Sequence, residues 1–167
     1  MAEYWYIRPG YEDLVRKFLE NPPQPEISQE FEIRERDFFH AGKAAATVKL
    51  TLKRLGVDPV ILRRTAIVGY EAEINVTAHS RGGRMVCNIH QDLVHLKFQD
   101  EGPGMHDIEQ SMEPGFSTAD EQVREMGFGA GLGLPNIEKN TDMLHIVSGS
   151  GQETFLEAVI FFKNNEE

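Results

Sequence analysis

Glu71 and Asn75 stand four residues apart in "YEAEIN". On a helix, positions i and i+4 share a face one turn apart. A carboxylate there can activate water or a hydroxyl, and a carboxamide oxygen suits a hard divalent cation. The pair alone also fits a solvated helix face, and Glu73 between them reads as an ordinary solvated carboxylate on another face. A further carboxylate, Asp100, follows the apolar run "LVHLKF" in "QDEGPGM". At a strand end it can accept a hydrogen bond from an exocyclic amine, while Gly102 and Gly104 let the backbone turn and a flat ring come close. On this fragment alone, a strand-ending turn is the simpler reading.

The third feature is "GFGAGLGLPN", Gly127–Asn136, with glycine at every second position up to Gly133. It precedes a predicted helix, so backbone N–H groups and the helix N-terminus would face the loop. That is a natural place for phosphate. The stretch is neither standard phosphate motif. No lysine follows, as the P-loop requires, and the alternate spacing is not G-x-G-x-x-G within a parallel βαβ unit.

The elements that must hold these residues can be read along the chain. Gly10–Asn21 has the spacing of a short amphipathic helix, and the prolines of Asn21–Ser28 read as a stiff extended linker, so residues 1–28 are expected to form an appended arm. Its aromatic Tyr4-Trp5-Tyr6 reads as packing against the rest of the protein. "QEFEIRER" (Gln29–Arg36) alternates like a half-buried strand. A helix is predicted to end at Gly56, and another to start at Asp58-Pro59 and run to about His79. Two strands meet in a turn near Gln91-Asp92. A short helix, "HDIEQSM", precedes a loop-rich stretch from Glu113 to Ala130. A helix then reopens in "GLGLPNIEKNTDML", and a hairpin ends the chain. This order predicts an α/β (α+β) two-layer sandwich, with one mixed or mostly antiparallel sheet covered by helices on one face.

The 167 residues suffice for one domain with a real core, and the net charge is −10. Such a chain repels phosphate backbones and carries no basic run, so no nucleic-acid partner is expected. No segment approaches the roughly 18 apolar residues of a membrane span, and no secretory leader is visible. The lone Cys87 reads as an inert strand thiol, and a cytoplasmic location is expected. His90, His95, His106 and His145 lack zinc-site spacing.

Taken together, E-x-x-x-N on a helix, D-x-G-x-G-M after a strand and G-x-G-x-G-L-G-L opening a helix resemble the N, G1 and G2 boxes of the GHKL (histidine-kinase-like) ATPase superfamily. The chain is most similar to the small bacterial anti-sigma factor and switch-protein serine kinases. "DEGPGM", "GFST" and "GLGLP" resemble their stressosome branch, and the likeness spans about Gln29 to Lys163. The resemblance implies a Bergerat ATP-binding fold over residues 29–167. It implies that Asp100 binds the adenine amino group, with Gly102, Gly104 and Met105 forming the base pocket and Thr154 beside the adenine. Asn75 would coordinate Mg²⁺ and Glu71 would be the general base. Gly129, Gly131, Leu132 and Gly133 would wrap the phosphates, Ser117 and Thr118 would belong to the lid, and His79 shares the face of Asn75.

The implied function is that of an ATP- and Mg²⁺-dependent serine/threonine kinase, an anti-sigma-type factor that phosphorylates a small regulatory protein in a partner-switching pathway. A sigma factor or phosphatase could be a further partner, and the protein could form a homodimer. The competing reading is a nucleotide-dependent binding module that regulates such a partner without significant phosphotransfer.

Overall fold

The computed structural model describes residues 1–116 and 133–163. The described elements are β1 (Ala2–Ile7), α1 (Glu12–Glu20), β2 (Ile27–Ile33), α2 (Lys43–Arg54), α3 (Pro59–His79), β3 (Gly83–Ile89), β4 (Leu93–Asp100), α4 (Ile108–Ser111), α5 (Gly133–Asn140), β5 (Met143–Ser148) and β6 (Phe155–Phe161). The central helix is α3. It begins where the sequence predicts: the Asp58 side chain accepts the Val60 N–H at 2.8 Å, and Pro59 occupies the first turn. It ends at His79, also as expected.

The six strands form one sheet in the order β1-β5-β6-β4-β3-β2, and all five pairings are antiparallel. Alternate side chains of a strand point to opposite faces. Val94, Leu96 and Phe98 of β4, Leu156, Ala158 and Ile160 of β6, and Leu144 and Ile146 of β5 share one face. Val68, Ala72 and Val76, spaced one turn apart on α3, join them in the main core with Val48 and Leu52 of α2 and Ile137 of α5. This is the two-layer α+β sandwich that the order of elements predicts.

One helix departs from the expected single covered face. Val15 and Phe18 of α1 pack with Leu93, Met143, Val159 and Phe161, the intervening positions of the same three strands. So α1 lies on the opposite face of the sheet and closes a second, smaller core there. Its amphipathic stripe was visible in the sequence, but the stripe does not say which face of a sheet receives it.

The N-terminal residues also differ from the expected arm. β1 pairs with β5 along its whole length, from Ala2 opposite Ser148 to Ile7 opposite Met143. The boundary expected at residue 28 falls inside β2. Tyr4-Trp5-Tyr6 are good strand formers, and they do pack: the Trp5 ring stacks on His145 at 3.8 Å, and the Tyr4 hydroxyl donates to Glu138 of α5 at 2.5 Å.

A buried carboxylate joins this edge strand to the rest. Asp142, fully buried between α5 and β5, accepts from Arg8 at 2.9 Å and from Arg64 of α3 at 2.7 Å, both on Oδ1. Its Oδ2 accepts the Phe161 N–H at 2.8 Å. Arg8 also donates to the carbonyls of Lys139 and Thr141. Removing one partner of a buried ion pair strands the other. Asp142→Ala is therefore expected to lower unfolding stability by about 3–5 kcal/mol in denaturant titration. A loss below about 1 kcal/mol, the size of a surface pair, would show that Asp142 does not join these elements.

Candidate functional site

The face of α3 next to its core stripe borders a cavity of about 1110 Å³, lined also by the loop after β4, by α5 and by the β5–β6 turn. Glu71, Asn75 and His79 all line it, as their helical spacing predicts. Gly133 of α5 faces the first two. A Cβ built on Gly133 would stand 3.1 Å from Glu71 Oε2 and 3.4 Å from Asn75 Oδ1. Glycine thus lets the α5 backbone sit directly against the carboxylate–carboxamide pair, and a side chain there would push on both.

Glu71 is half-buried. Desolvation pushes its carboxyl above the usual carboxylate range, and a hydrogen bond from the Asn136 side chain partly offsets this. A raised carboxyl is a stronger proton acceptor, the property a general base needs. Among the described residues no three His, Cys, Asp or Glu side chains converge on a common metal position. A divalent cation here would therefore depend on Asn75 together with oxygens of a bound phosphate compound.

The second cluster lies where β4 ends. Antiparallel pairing sets Gln99 opposite Phe155, which brings Thr154 beside Asp100. The Asp100 N–H donates to the Thr154 carbonyl at 3.0 Å, and Asp100 Oδ1 accepts the N–H groups of Thr154 at 2.9 Å and Gly102 at 2.8 Å. Burial raises the Asp100 carboxyl, these two backbone hydrogen bonds oppose the rise, and nearby Glu153 adds to it. The carboxylate is thus fixed by main chain on one oxygen. Among the described residues no group donates to Oδ2.

Asp100, Gly104, Met105 and Thr154 line the cavity, and Gly102 does not. Gly102 works one step away: it orients Asp100 through its N–H, and its carbonyl accepts the Arg81 N–H at 2.9 Å. The sequence suggested that Gly104 admits a flat ring. Its geometry gives a different reason for glycine. At φ +84° a Cβ would fall 2.1 Å from the Gly149 carbonyl oxygen, so the residue lets the loop pack on the β5–β6 turn.

Two residues of the site went unmarked in the sequence. Ser148, fully buried, accepts the Met105 N–H at 2.8 Å and shares a 2.6 Å hydrogen bond with the Thr154 hydroxyl, tying the loop to the last two strands. Asn136 lines the cavity on the α5 side and opposes the rise of the Glu71 carboxyl. Glu73 is not the solvated carboxylate expected. It is buried, and it accepts N–H groups of Gly42 at 2.9 Å, Ala44 at 3.3 Å and Ala45 at 2.9 Å. It caps the N-terminus of α2, where a negative charge meets unpaired amides and the positive end of the helix dipole. Of the other predicted residues, Ser117, Thr118, Gly129, Gly131 and Leu132 lie outside the described residues.

The raised Glu71 carboxyl has a consequence for stability. Below the ordinary carboxylate range Glu71 is protonated whether the chain is folded or not, and desolvation costs nothing. As pH rises toward the elevated folded-state value, the unfolded chain releases its proton first, and the folded state loses stability. Glu71→Gln carries no such charge. It should melt at a higher temperature than the parent at neutral pH, with the difference shrinking toward zero near about pH 3. A difference independent of pH would show that desolvation does not govern this side chain.

No family model matches the chain. A chain of the SiaB–SiaC complex from Pseudomonas aeruginosa aligns with 89% of this chain and 96% of its own length, at 12% identity and a TM-score of 0.49, a likeness too remote to bear on the site. The serine/threonine-protein kinase RsbT of Bacillus subtilis (strain 168) is 36% identical over 111 residues, 64% of this chain and 77% of that protein. Identity of that extent makes this chain a member of RsbT's family, the switch-protein serine kinases of the GHKL ATPase superfamily.

Proposed function

We propose that this protein is an ATP-dependent serine/threonine kinase that phosphorylates a small regulatory protein in a partner-switching pathway. The observation that carries the reading is the half-buried Glu71, its carboxyl raised, next to Asn75 and the α5 backbone in the same cavity that Asp100 lines. A purely structural carboxylate gains nothing from standing desolvated in an open cavity, whereas a general base does. The relationship to a serine/threonine kinase supports the same reaction class.

The residues divide the work. Asp100, steadied by Thr154 and Gly102, would accept a hydrogen bond from the adenine amino group. Met105 and Thr154 would border the base. Asn75 would hold Mg²⁺ with the phosphate oxygens, and the ion would neutralise charge on the phosphates when bound. The acceptor hydroxyl of the partner would lie against Glu71. Its oxygen attacks the terminal phosphorus and the bond to the bridging oxygen breaks. ADP leaves, and the hydroxyl proton passes to the Glu71 carboxylate and then to water. Gly133 leaves the α5 backbone free to approach the phosphates. Gly129, Gly131 and Leu132, with Ser117 and Thr118, would complete the phosphate wrap and the lid. No helix among the described residues is long and apolar enough to cross a membrane, and we place the reaction in the cytoplasm.

Two substitutions separate binding from transfer. Asp100→Asn should weaken ATP binding by about tenfold to a hundredfold in calorimetric titration, the worth of a charge-assisted hydrogen bond; unchanged affinity would remove Asp100 from the base pocket. Glu71→Ala should leave ATP binding nearly intact and slow transfer of labelled phosphate to the co-purifying partner by about 10²–10⁴-fold. If the unmodified protein bound that partner only with nucleotide yet never labelled it, the chain would be a nucleotide-gated binding module and not a kinase.

A further inference from the structure

Two arginines line the cavity, Arg36 and Arg81. Arg36 is engaged within the fold. Its Nη1 donates to the Ala78 carbonyl at 3.2 Å, and its guanidinium carbon lies 5.6 Å from the centre of the Phe38 ring. Arg81 is exposed, and its guanidinium has no hydrogen-bond or ion-pair partner among the described residues. The described fold makes no use of this cation, yet the side chain borders the cavity.

The backbone that carries it is fixed. The Ser80 hydroxyl donates to the Val76 carbonyl at 2.7 Å and accepts the Gly82 N–H at 3.1 Å, closing the turn after α3. The Arg81 N–H donates to the Gly102 carbonyl at 2.9 Å, and the Glu101 N–H donates to the Gly82 carbonyl at 2.9 Å. Gly83 stands so near β4 that a Cβ on it would fall 2.7 Å from the Asp100 Cα. Residues 81–83 are thus laced to the loop that follows Asp100. The side chain keeps to the same loop: a Cβ on Gly102 would stand 3.1 Å from Arg81 Nη2.

We propose that Arg81 is an adenine-binding residue, its guanidinium laid against the face of the base whose amino group Asp100 accepts. The inference rests on the nucleotide reading of the cavity. Position assigns Arg81 to the base and not to the phosphates. Glu71 and His79 lie about 12 Å apart along the axis of α3, and Arg81 lies beyond His79. Glu71, Asn75 and Gly133 mark the phosphate end of the cavity, whereas Arg81 is laced to the Asp100 end. The residue type fits this place. Asp100 reads one edge of the base and leaves its faces open. A guanidinium is planar and weakly hydrated, so it stacks on a ring face without competing for the edge.

The test is calorimetric titration of adenosine, ADP and ATP into the full chain and into Arg81→Ala, Arg81→Tyr and Arg81→Lys. The Arg81 side chain has no partner to lose, so Arg81→Ala should keep the parent's melting temperature. It should weaken all three ligands by the same factor, about threefold to thirtyfold. Arg81→Tyr should recover most of that loss, because an aromatic ring stacks on a base without charge, and Arg81→Lys should recover less. A loss that grows from adenosine to ATP, restored by lysine and not by tyrosine, would overturn the stacking and assign Arg81 to the phosphates. Equal affinities of Arg81→Ala and the parent, with Asp100→Asn still weakening ATP, would overturn the inference and leave the nucleotide reading standing. Failure of the parent to bind any of the three ligands would overturn that reading and the inference with it.

Discussion

The site depends on how α3 lies on the sheet. Its stripe Val68, Ala72 and Val76 is buried against β4, β5 and β6, and with 3.6 residues per turn that burial dictates where every polar residue between them can go. Glu71 and Asn75 fall on the flank that borders the cavity. Glu73 falls on the other flank, against α2, where only a paired charge can stand. One helix therefore carries a carboxylate satisfied by three backbone amides and a carboxylate left short of partners in a cavity. The first fixes α2 and the second is available for chemistry. Rotating α3 by one residue, about 100°, would carry both carboxylates out of these environments and abolish both roles.

The far end of the cavity is built by strand register. Asp100 is the last residue of β4, and its neighbour across the ladder is the backbone that leads into β6. The main chain of Thr154 and Gly102 settles one carboxylate oxygen before any ligand arrives. Ser148 on β5 then draws Met105 and Thr154 together. A preorganised acceptor of this kind costs little to use, because its entropy is lost on folding and not on binding. The edge strand β1 supports the opposite side. Through Tyr4 and the adjoining Arg8 it grips α5, the helix that brings Gly133 to Glu71.

What could be read in the sequence was what local chemistry decides. Asp58-Pro59 announces the start of α3, and i, i+4 spacing places Glu71 with Asn75. Asp100 is marked by the end of an apolar run followed by glycines. What escaped reading depends on partners remote in sequence. Tyr4-Trp5-Tyr6 has a strand's composition, but its partner β5 lies near the other end of the chain, so the residues read as part of an arm. Glu73 looks solvated until α2 is known to begin against it. The stripe of α1 specifies burial without specifying a face. Asn136 has no signature, since an amide near a carboxylate is visible only once α5 is laid beside α3. The glycines at 102 and 104 were legible as necessary and not as to cause: Gly104 serves the packing of two loops, and Gly102 serves the orientation of Asp100.

The arrangement has a cost in stability, since Glu71 and Asp100 are both held above the usual carboxylate range by burial. The offset comes from groups that touch no ligand: Asp142 with its two arginines, Glu73 on its helix end, and the core beneath α3. The central claim is that one cavity carries a base-binding carboxylate and a proton-accepting carboxylate at separate clusters. A crystal structure with a non-hydrolysable ATP analogue and Mg²⁺ tests it most directly. The account predicts adenine against Asp100 and Thr154, with the terminal phosphate beside Asn75, Gly133 and Glu71. A nucleotide bound in the reverse direction, or outside this cavity, would contradict it.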